Sequence, residues 1–405
     1  MRPMKVLIVS QYFYPESFHI NQVVQTLLNK GVEVDVLTGK PNYPEGAFFS
    51  GYRAWGLQTE KFMGANIYRL PVFARGKGSS WRLVFNYLSF VLSGLFFAPF
   101  ILRGQRYDAI FVYATSPILQ AIPALLIGWL KRLRVIVWVQ DLWPESLEAT
   151  GYIRNPQMLG WVEHIVRFIY RHSDLLLVQS RAFVGPVSAL APGKKVVYHP
   201  NSIDPIFLHP IDVSLPEVPA LESGFSVVFA GNLGAGQAVE VIIEAAYLLK
   251  DQSAIRFVVF GNGSRWDWMR KQVLLRGLTN LYLPGRYPLE SMPALMQKAS
   301  ALLVILADQP IFALTVPNKV QAYLAAGRPI LACMNGEGAR LVTEANAGLT
   351  VPAEDAQGLS TAVLQLYEMS AEDRAVLGAN GRRYFKENFD QDFLTEQLMY
   401  HLQSN

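Results

Sequence analysis

A strand that runs straight into glycines occurs twice in this chain of 405 residues, and few folds accommodate that. The apolar run at 225–230, FSVVFA, breaks into Gly231-Asn232-Leu233-Gly234-Ala235-Gly236, and a helix-like stretch follows over 237–250. A strand, a glycine turn and a helix N-terminus in that order expose backbone N–H groups and a dipole end that favour a phosphate. The N-terminus opens in a similar way, with the strand-like KVLIVS at 5–10 feeding a loop over 11–17. Two such units predict an α/β chain of two Rossmann-like domains facing across a cleft.

Length agrees, since 405 residues exceed one ordinary core and suit two domains of roughly 200 residues. Strand-like segments recur at 5–10, 32–37, 108–113, 134–139 and 175–179, then at 225–230, 255–260, 279–283, 301–306 and 329–333. Helical patterns lie between them, for example over 18–29, 157–172, 237–249 and 318–326, which predicts parallel sheets with crossover helices. The segment 207–224 holds Pro210, Pro216 and Pro219 with little periodicity and reads as the linker. The expected domains are therefore 1–206 and 225–389, with a last helix over about 390–405 folding back onto the first.

Charge divides the halves. Residues 1–205 carry 21 Lys and Arg against 12 Asp and Glu, a net of +9, while the remainder carries 15 against 20, a net of −5. A basic half points to an anionic surface or ligand. Its cations are dispersed among apolar runs, which favours anionic lipid over nucleic acid. Cys333 is the sole cysteine, so no intrachain disulfide can form, and the six histidines show no metal-ligand spacing. Neither a metal nor a cofactor is expected. Residues 1–9 lack a long apolar signal region, which predicts a cytoplasmic location.

Residues 81–102 are almost continuously apolar, and their length approaches the ~20 residues of a spanning helix. A true span would separate residues 1–80 from the rest of the first sheet. A helix or helical hairpin lying in the bilayer surface fits better, with Arg75, Lys77, Arg82, Arg103 and Arg106 near headgroups. A buried core helix is the plainer alternative. Residues 123–130, ending in Lys131-Arg132-Leu133-Arg134, either extend that patch or form a crossover helix.

Several residues could carry chemistry. Gly261-Asn262-Gly263 adds a second turn on the sheet edge that holds 231–236, where doubly wound sheets form pocket rims. Pro317-Asn318-Lys319 opens a helix that closes at Gly327, and a cation such as Lys319 in a first turn opposes the helix dipole unless an anion sits beside it. Glu337, in the Gly336–Gly338 loop, and Glu344 could accept from sugar or ribose hydroxyls, although a lone acid is more often surface charge. In the first half, Asp141 follows a buried strand and could orient or deprotonate a hydroxyl, or simply cap the helix that Pro144 and Glu145 begin. Ser116 reads first as a cap, and Pro15, Glu16 and His19 border the opening loop.

In order, segments 6–15, 137–146, 177–181, 198–204, 227–245, 259–263, 316–330, 336–352 and 381–389 resemble the GT-B retaining glycosyltransferases of family 4. The similar branch serves bacterial colanic-acid, O-antigen and capsule synthesis and includes enzymes assigned to L-fucosamine transfer. The resemblance implies a nucleotide-sugar donor (UDP-linked favoured, GDP-linked possible) held mainly by the second domain. It implies an acceptor held by the first, here a polyprenyl-diphosphate saccharide at the cytoplasmic face of the plasma membrane, and no obligatory metal. On this reading Gly231, Asn232, Gly234, Gln237, Gly261, Asn262, Arg286, Asn318, Gly336, Glu337, Gly338 and Glu344 meet the donor. Pro15, Glu16 and His19 meet the acceptor, and Asp141 and Lys319 serve the reaction.

The chain departs from the family where many members carry Arg and Lys, here Asn232 and Gln237, and where many carry a glutamate pair, here Leu314 and Ala322. Lys319, with Arg286 or Arg265 behind it, is then the cation left for the diphosphate, aided by backbone N–H groups of 231–236 and 336–338. Two other readings stay open: a nucleotide-sugar epimerase on a similar scaffold, and a non-catalytic nucleotide-sugar or membrane-binding module.

Overall fold

A computed structural model describes residues 2–76, 80–149, 151, 153–208 and 217–403. The chain forms two compact units, one of residues 1–201 with 391–405 and one of residues 202–390.

The first unit is built on eight strands: β1 (Lys5–Val9), β2 (Glu33–Gly39), β3 (Gln58–Phe62), β4 (Ala65–Leu70), β5 (Ala109–Ala114), β6 (Val135–Val139), β7 (Leu175–Val178) and β8 (Val196–Tyr198). Their order across the sheet is β3-β4-β2-β1-β5-β6-β7-β8, parallel except for the β3–β4 hairpin. The central strands β1, β5, β6 and β7 are apolar on both faces, as a sheet covered on both sides by crossover helices requires. Leu398 and Leu402 of helix Gln391–Gln403 join Val6, Ile8, Phe111 and Trp138 in this core. Burying two leucines contributes about 4 kcal/mol to holding that C-terminal helix in place.

The second unit has six parallel strands: β9 (Phe225–Ala230), β10 (Ile255–Phe260), β11 (Leu281–Gly285), β12 (Ala301–Ile305), β13 (Ile330–Cys333) and β14 (Gly348–Val351). Their order is β11-β10-β9-β12-β13-β14. The order reverses between β9 and β12, so the turn after β9 borders the switch point where such sheets bind ligands, with the turn after β10 beside it.

Some expectations need correction. The boundary falls before the proline-rich segment, because Ile203, Val218, Ala220 and Leu221 are buried in the second unit's core. Residues 209–216 of the expected linker 207–224 lie outside the described residues, as does Lys77. The β3–β4 hairpin, β8 and β14 were not expected. The helix expected from 237 begins at Glu240, after a tight turn at Ala235–Gln237 and a left-handed Ala238 at φ +46°. Residues 81–102 are not a hairpin: they form one helix, Ser80–Ile101, with Pro99 inside it. Helix Ala121–Lys131 joins parallel strands β5 and β6, so it is a crossover helix, with Trp129 and Leu130 exposed near its end.

Candidate functional site

In the second unit, the turns after β9 and β10 approach so closely that only glycine fits. A Cβ on Gly261 would lie 1.8 Å from the Gly231 carbonyl oxygen, and both residues have φ near +145° (+145° and +143°). The Gly231 N–H donates to the Phe260 carbonyl at 2.9 Å, and the Leu233 N–H to that of Asn262 at 3.0 Å. These turns border a cavity of about 550 Å³ that also touches Asn232, Asn262, Arg286, Asn318 and Lys319. Its apolar wall includes Phe260, Tyr287, Met292 and Met296. A few polar groups converging on an apolar hollow of this size is the usual form of a small-molecule site.

Lys319 is the centre of the arrangement. Its side chain runs through the space left by the missing side chain of Gly231, whose Cβ would meet the lysine Cε at 2.5 Å. The Nζ lies 4.0 Å from the centroid of the Phe229 ring and donates to the Gln237 Oε1 at 2.5 Å. Burial brings this amine down to about 7, so a modest change in its surroundings switches its charge. No carboxylate pairs with it among the described residues. Arg286 is exposed on the same cavity and has no ion pair among them either.

Other expected donor residues lie differently. Arg265 is bonded to Glu240 and stacked on Trp268 at 4.5 Å, so its charge is committed. Glu240 in turn occupies the first turn of helix Glu240–Leu248, so the N-terminus expected to take a phosphate already carries an acid. Glu337 is buried and paired with Arg340 at 2.8 Å. Glu344 is bonded to Arg340 and accepts from the Tyr384 hydroxyl at 2.8 Å. Gly336, Gly338 and Gly234 are not among the cavity-lining residues; a Cβ on Gly336 would strike the Ala313 carbonyl.

The first unit holds a separate hollow, also about 550 Å³, at the C-terminal edge of its sheet. Asp141, just after β6, lines it. The Trp143 indole N–H donates to the Ser116 hydroxyl at 2.9 Å, and that hydroxyl donates to the Asp141 carboxylate at 2.9 Å. Burial raises the Asp141 carboxyl above the ordinary aspartate value, opposed by the Ser116 bonds. Ser116, read from sequence as a cap, is thus the residue that orients Asp141.

Of the opening loop, Tyr12 and Phe18 line this hollow, whereas Pro15, Glu16 and His19 do not. Glu16 is buried and accepts from the backbone N–H groups of Phe13, Asn42 and Tyr43 at 3.2, 2.8 and 2.7 Å. It clamps two loops together, and burial pushes its carboxyl up to about 7 despite those donors. His19 lies edge-on to Trp138 at 5.9 Å, with Nδ1 2.9 Å from the Gln22 side-chain oxygen.

Two family models match the chain, "Glycosyl transferase 4-like domain" over residues 17–202 and "Glycosyl transferases group 1" over residues 224–369. The chain is a glycosyltransferase of the GT-B type. This sets aside the epimerase and the non-catalytic readings. The glycosyltransferase is 26% identical to a Pseudomonas aeruginosa protein named a probable glycosyltransferase, WbjE, over 75% of this chain and 76% of that one. It is 25% identical to WcaI of Escherichia coli K12, named for colanic acid biosynthesis glycosyl transfer, over 80% of this chain and 82% of that one. Its fold matches that of Anabaena Alr3699/HepE, solved in complex with UDP, with a TM-score of 0.67 at 12% identity over the full length of both chains.

Proposed function

We propose that the second unit binds a nucleoside-diphosphate sugar, with a UDP-sugar favoured, and that the first unit binds a polyprenyl-diphosphate-linked saccharide. The sugar passes from one to the other in the synthesis of a bacterial surface polysaccharide. The observation that carries this reading is the buried amine of Lys319 between the Gly231 turn and Gln237, on a cavity with the unpaired Arg286. When the glycosidic bond to the donor breaks, negative charge develops on the departing diphosphate, and preorganised cations stabilise it. Lys319 is assigned that task, with Arg286 assisting and Asn232, Gly261, Asn262 and Asn318 shaping the cavity. The UDP in the HepE complex and the colanic-acid name of WcaI support the donor class and the polysaccharide setting.

The resemblance to retaining enzymes implies front-face attack, with a departing phosphate oxygen taking the acceptor proton. Asp141, held by Ser116, is assigned the orientation of the acceptor hydroxyl. Membrane contact is assigned to helix Ser80–Ile101. One face of it buries Asn86, Phe90 and Ala98, while Trp81, Phe85, Leu92, Phe96 and Phe100 are exposed along the other. A one-sided stripe beside Arg82, Arg103 and Arg106 suits a helix lying in the cytoplasmic leaflet.

The test is a panel of UDP- and GDP-linked sugars, including an N-acetylated L-fucosamine donor, incubated with short-chain lipid-diphosphate saccharides and read by mass spectrometry. A product one sugar heavier than the lipid acceptor is expected. Sugar transfer only to water-soluble acceptors would contradict the acceptor assignment.

A further inference from the structure

The hollow that Asp141 lines has a wall unsuited to sugar alone. Leu83, Tyr87, Leu119, Leu147 and Val162 present hydrocarbon to it, whereas sugar hydroxyls need hydrogen-bond partners once they leave water. Its polar groups gather at the sheet edge, where Thr115, Ser116, Asp141 and Ser146 follow β5 and β6, and beside the Tyr12 and Tyr43 rings. Arg75 also lines it. That guanidinium lies 3.4 Å from the Tyr12 hydroxyl and 5.1 Å from the centroid of the Tyr43 ring, and pairs with no carboxylate among the described residues.

Three lining residues are also solvent-exposed: Val84 at 51%, Leu88 at 44% and Met158 at 53%. Val84 and Leu88 belong to the apolar stripe of helix Ser80–Ile101. Met158 begins a second stripe on helix Pro156–His172, continued by Trp161, Ile165 and Phe168. The hollow therefore opens between two apolar helix faces rather than onto a polar rim.

We propose that this pocket holds the isoprenoid segment next to the diphosphate of the lipid-linked acceptor, which enters from the bilayer past Val84, Leu88 and Met158, with Arg75 meeting the diphosphate. The inference rests on the acceptor class proposed above and gives it a site. A flexible, branched hydrocarbon has no hydroxyls to satisfy and matches the aliphatic and aromatic wall. A guanidinium forms charge-assisted bonds to phosphate oxygens. The acceptor would then be recognised through its lipid as well as its sugar, and a free saccharide would lack most of the contacts.

The experiment is calorimetric titration of the full chain with farnesyl diphosphate, farnesol and inorganic pyrophosphate, each alongside a UDP titration. Farnesyl diphosphate should bind about tenfold or more tightly than either fragment, because only it satisfies both the hydrocarbon wall and Arg75. Leu119→Trp and Val162→Trp, which fill the pocket, should weaken farnesyl diphosphate about tenfold or more and leave UDP binding unchanged. Arg75→Gln should weaken farnesyl diphosphate and leave farnesol unaffected. A diazirine-bearing farnesyl diphosphate should label the helices around 84–88 and 158–162 in the unmodified chain, whether or not the tryptophan variants fold.

Equal binding by filled and unfilled pockets, labelling elsewhere, or farnesol binding as tightly as its diphosphate would overturn the proposal. Absence of farnesyl diphosphate binding with UDP binding intact would also overturn it, leaving the donor reading in place. Farnesyl diphosphate binding without UDP binding would instead contradict the donor reading and support the pocket.

Discussion

The amine of Lys319 donates a hydrogen bond to the side-chain oxygen of Gln237, 2.5 Å away and 82 positions apart in sequence. Position 237 is where many enzymes resembling this one carry a lysine. Here the cation comes from the first turn of helix Asn318–Ala326 and reaches the same loop from another direction. The side chain at this departing position is thus bonded to a lysine that a linear motif would not connect with it.

The buried amine gives donor binding a defined pH dependence. In the free protein Lys319 loses its proton near pH 7, well below the ordinary lysine value of 10.5. A diphosphate favours the cation and raises that value, so binding above pH 7 takes up a proton. UDP affinity should fall with a slope approaching about tenfold per pH unit above pH 7. For stability of the free protein the sign is opposite. The unfolded chain holds the extra proton between pH 7 and 10.5, so this group's contribution rises with pH across that window. Calorimetry in buffers of different ionisation enthalpy measures the uptake directly.

Gly231→Ala and Gly261→Ala should both lose stability, because each glycine has a φ near +145° that alanine adopts only with strain, but they should differ in what else they disturb. A Cβ at 231 meets the far end of a flexible side chain, so it also displaces the Lys319 amine and weakens UDP by about tenfold or more. A Cβ at 261 meets backbone at 1.8 Å, and the neighbouring turn must move. That variant should lose about 3 kcal/mol of stability in denaturant melts.

Glu16→Ala leaves three backbone N–H groups without their acceptor in a buried loop. A loss of about 3 kcal/mol follows from the cost of unsatisfied buried donors. Thermal unfolding should report it, with UDP affinity at low temperature unchanged. A stable Glu16→Ala variant that fails only in acceptor binding would restore the direct acceptor role read from the sequence.

Asp141→Asn keeps the shape of the Ser116 contact and removes the charge. Turnover on the lipid-linked acceptor should fall about a hundredfold, the scale of misplacing the reacting hydroxyl. UDP affinity should not move. Ser116→Ala should give a smaller loss of the same kind, since Trp143 and Asp141 both depend on that hydroxyl for orientation.

Much of the fold was legible because fully buried parallel strands are continuous apolar runs, and β1, β5, β6, β9 and β12 are such runs. The edges were not legible for the same reason. β3, QTEKF, alternates polar residues at the rim of its sheet, and β8 and β14 are short and half-exposed. In the second unit, Gly231, Gly261, Asn318 and Lys319 could be grouped from sequence because each directly follows a strand or opens a helix. The engagement of Arg265 with Glu240, and of Glu337 and Glu344 with Arg340, could not, because a charged residue in a sequence carries no sign of its partner. In the first unit the sequence pointed to the opening loop and there to Pro15, Glu16 and His19, whereas Tyr12 and Phe18 line the hollow. Alternation along an irregular loop does not say which side chains turn inward.

The most direct measurement is UDP titration of the unmodified chain and of Lys319→Ala at pH 6.5, with a melt to confirm that both are folded. Loss of a charge-assisted bond of about 1.5–3 kcal/mol predicts an affinity lower by roughly ten- to hundredfold in the variant. Equal affinity in two folded proteins would contradict the assignment of this cavity and its lysine to the donor.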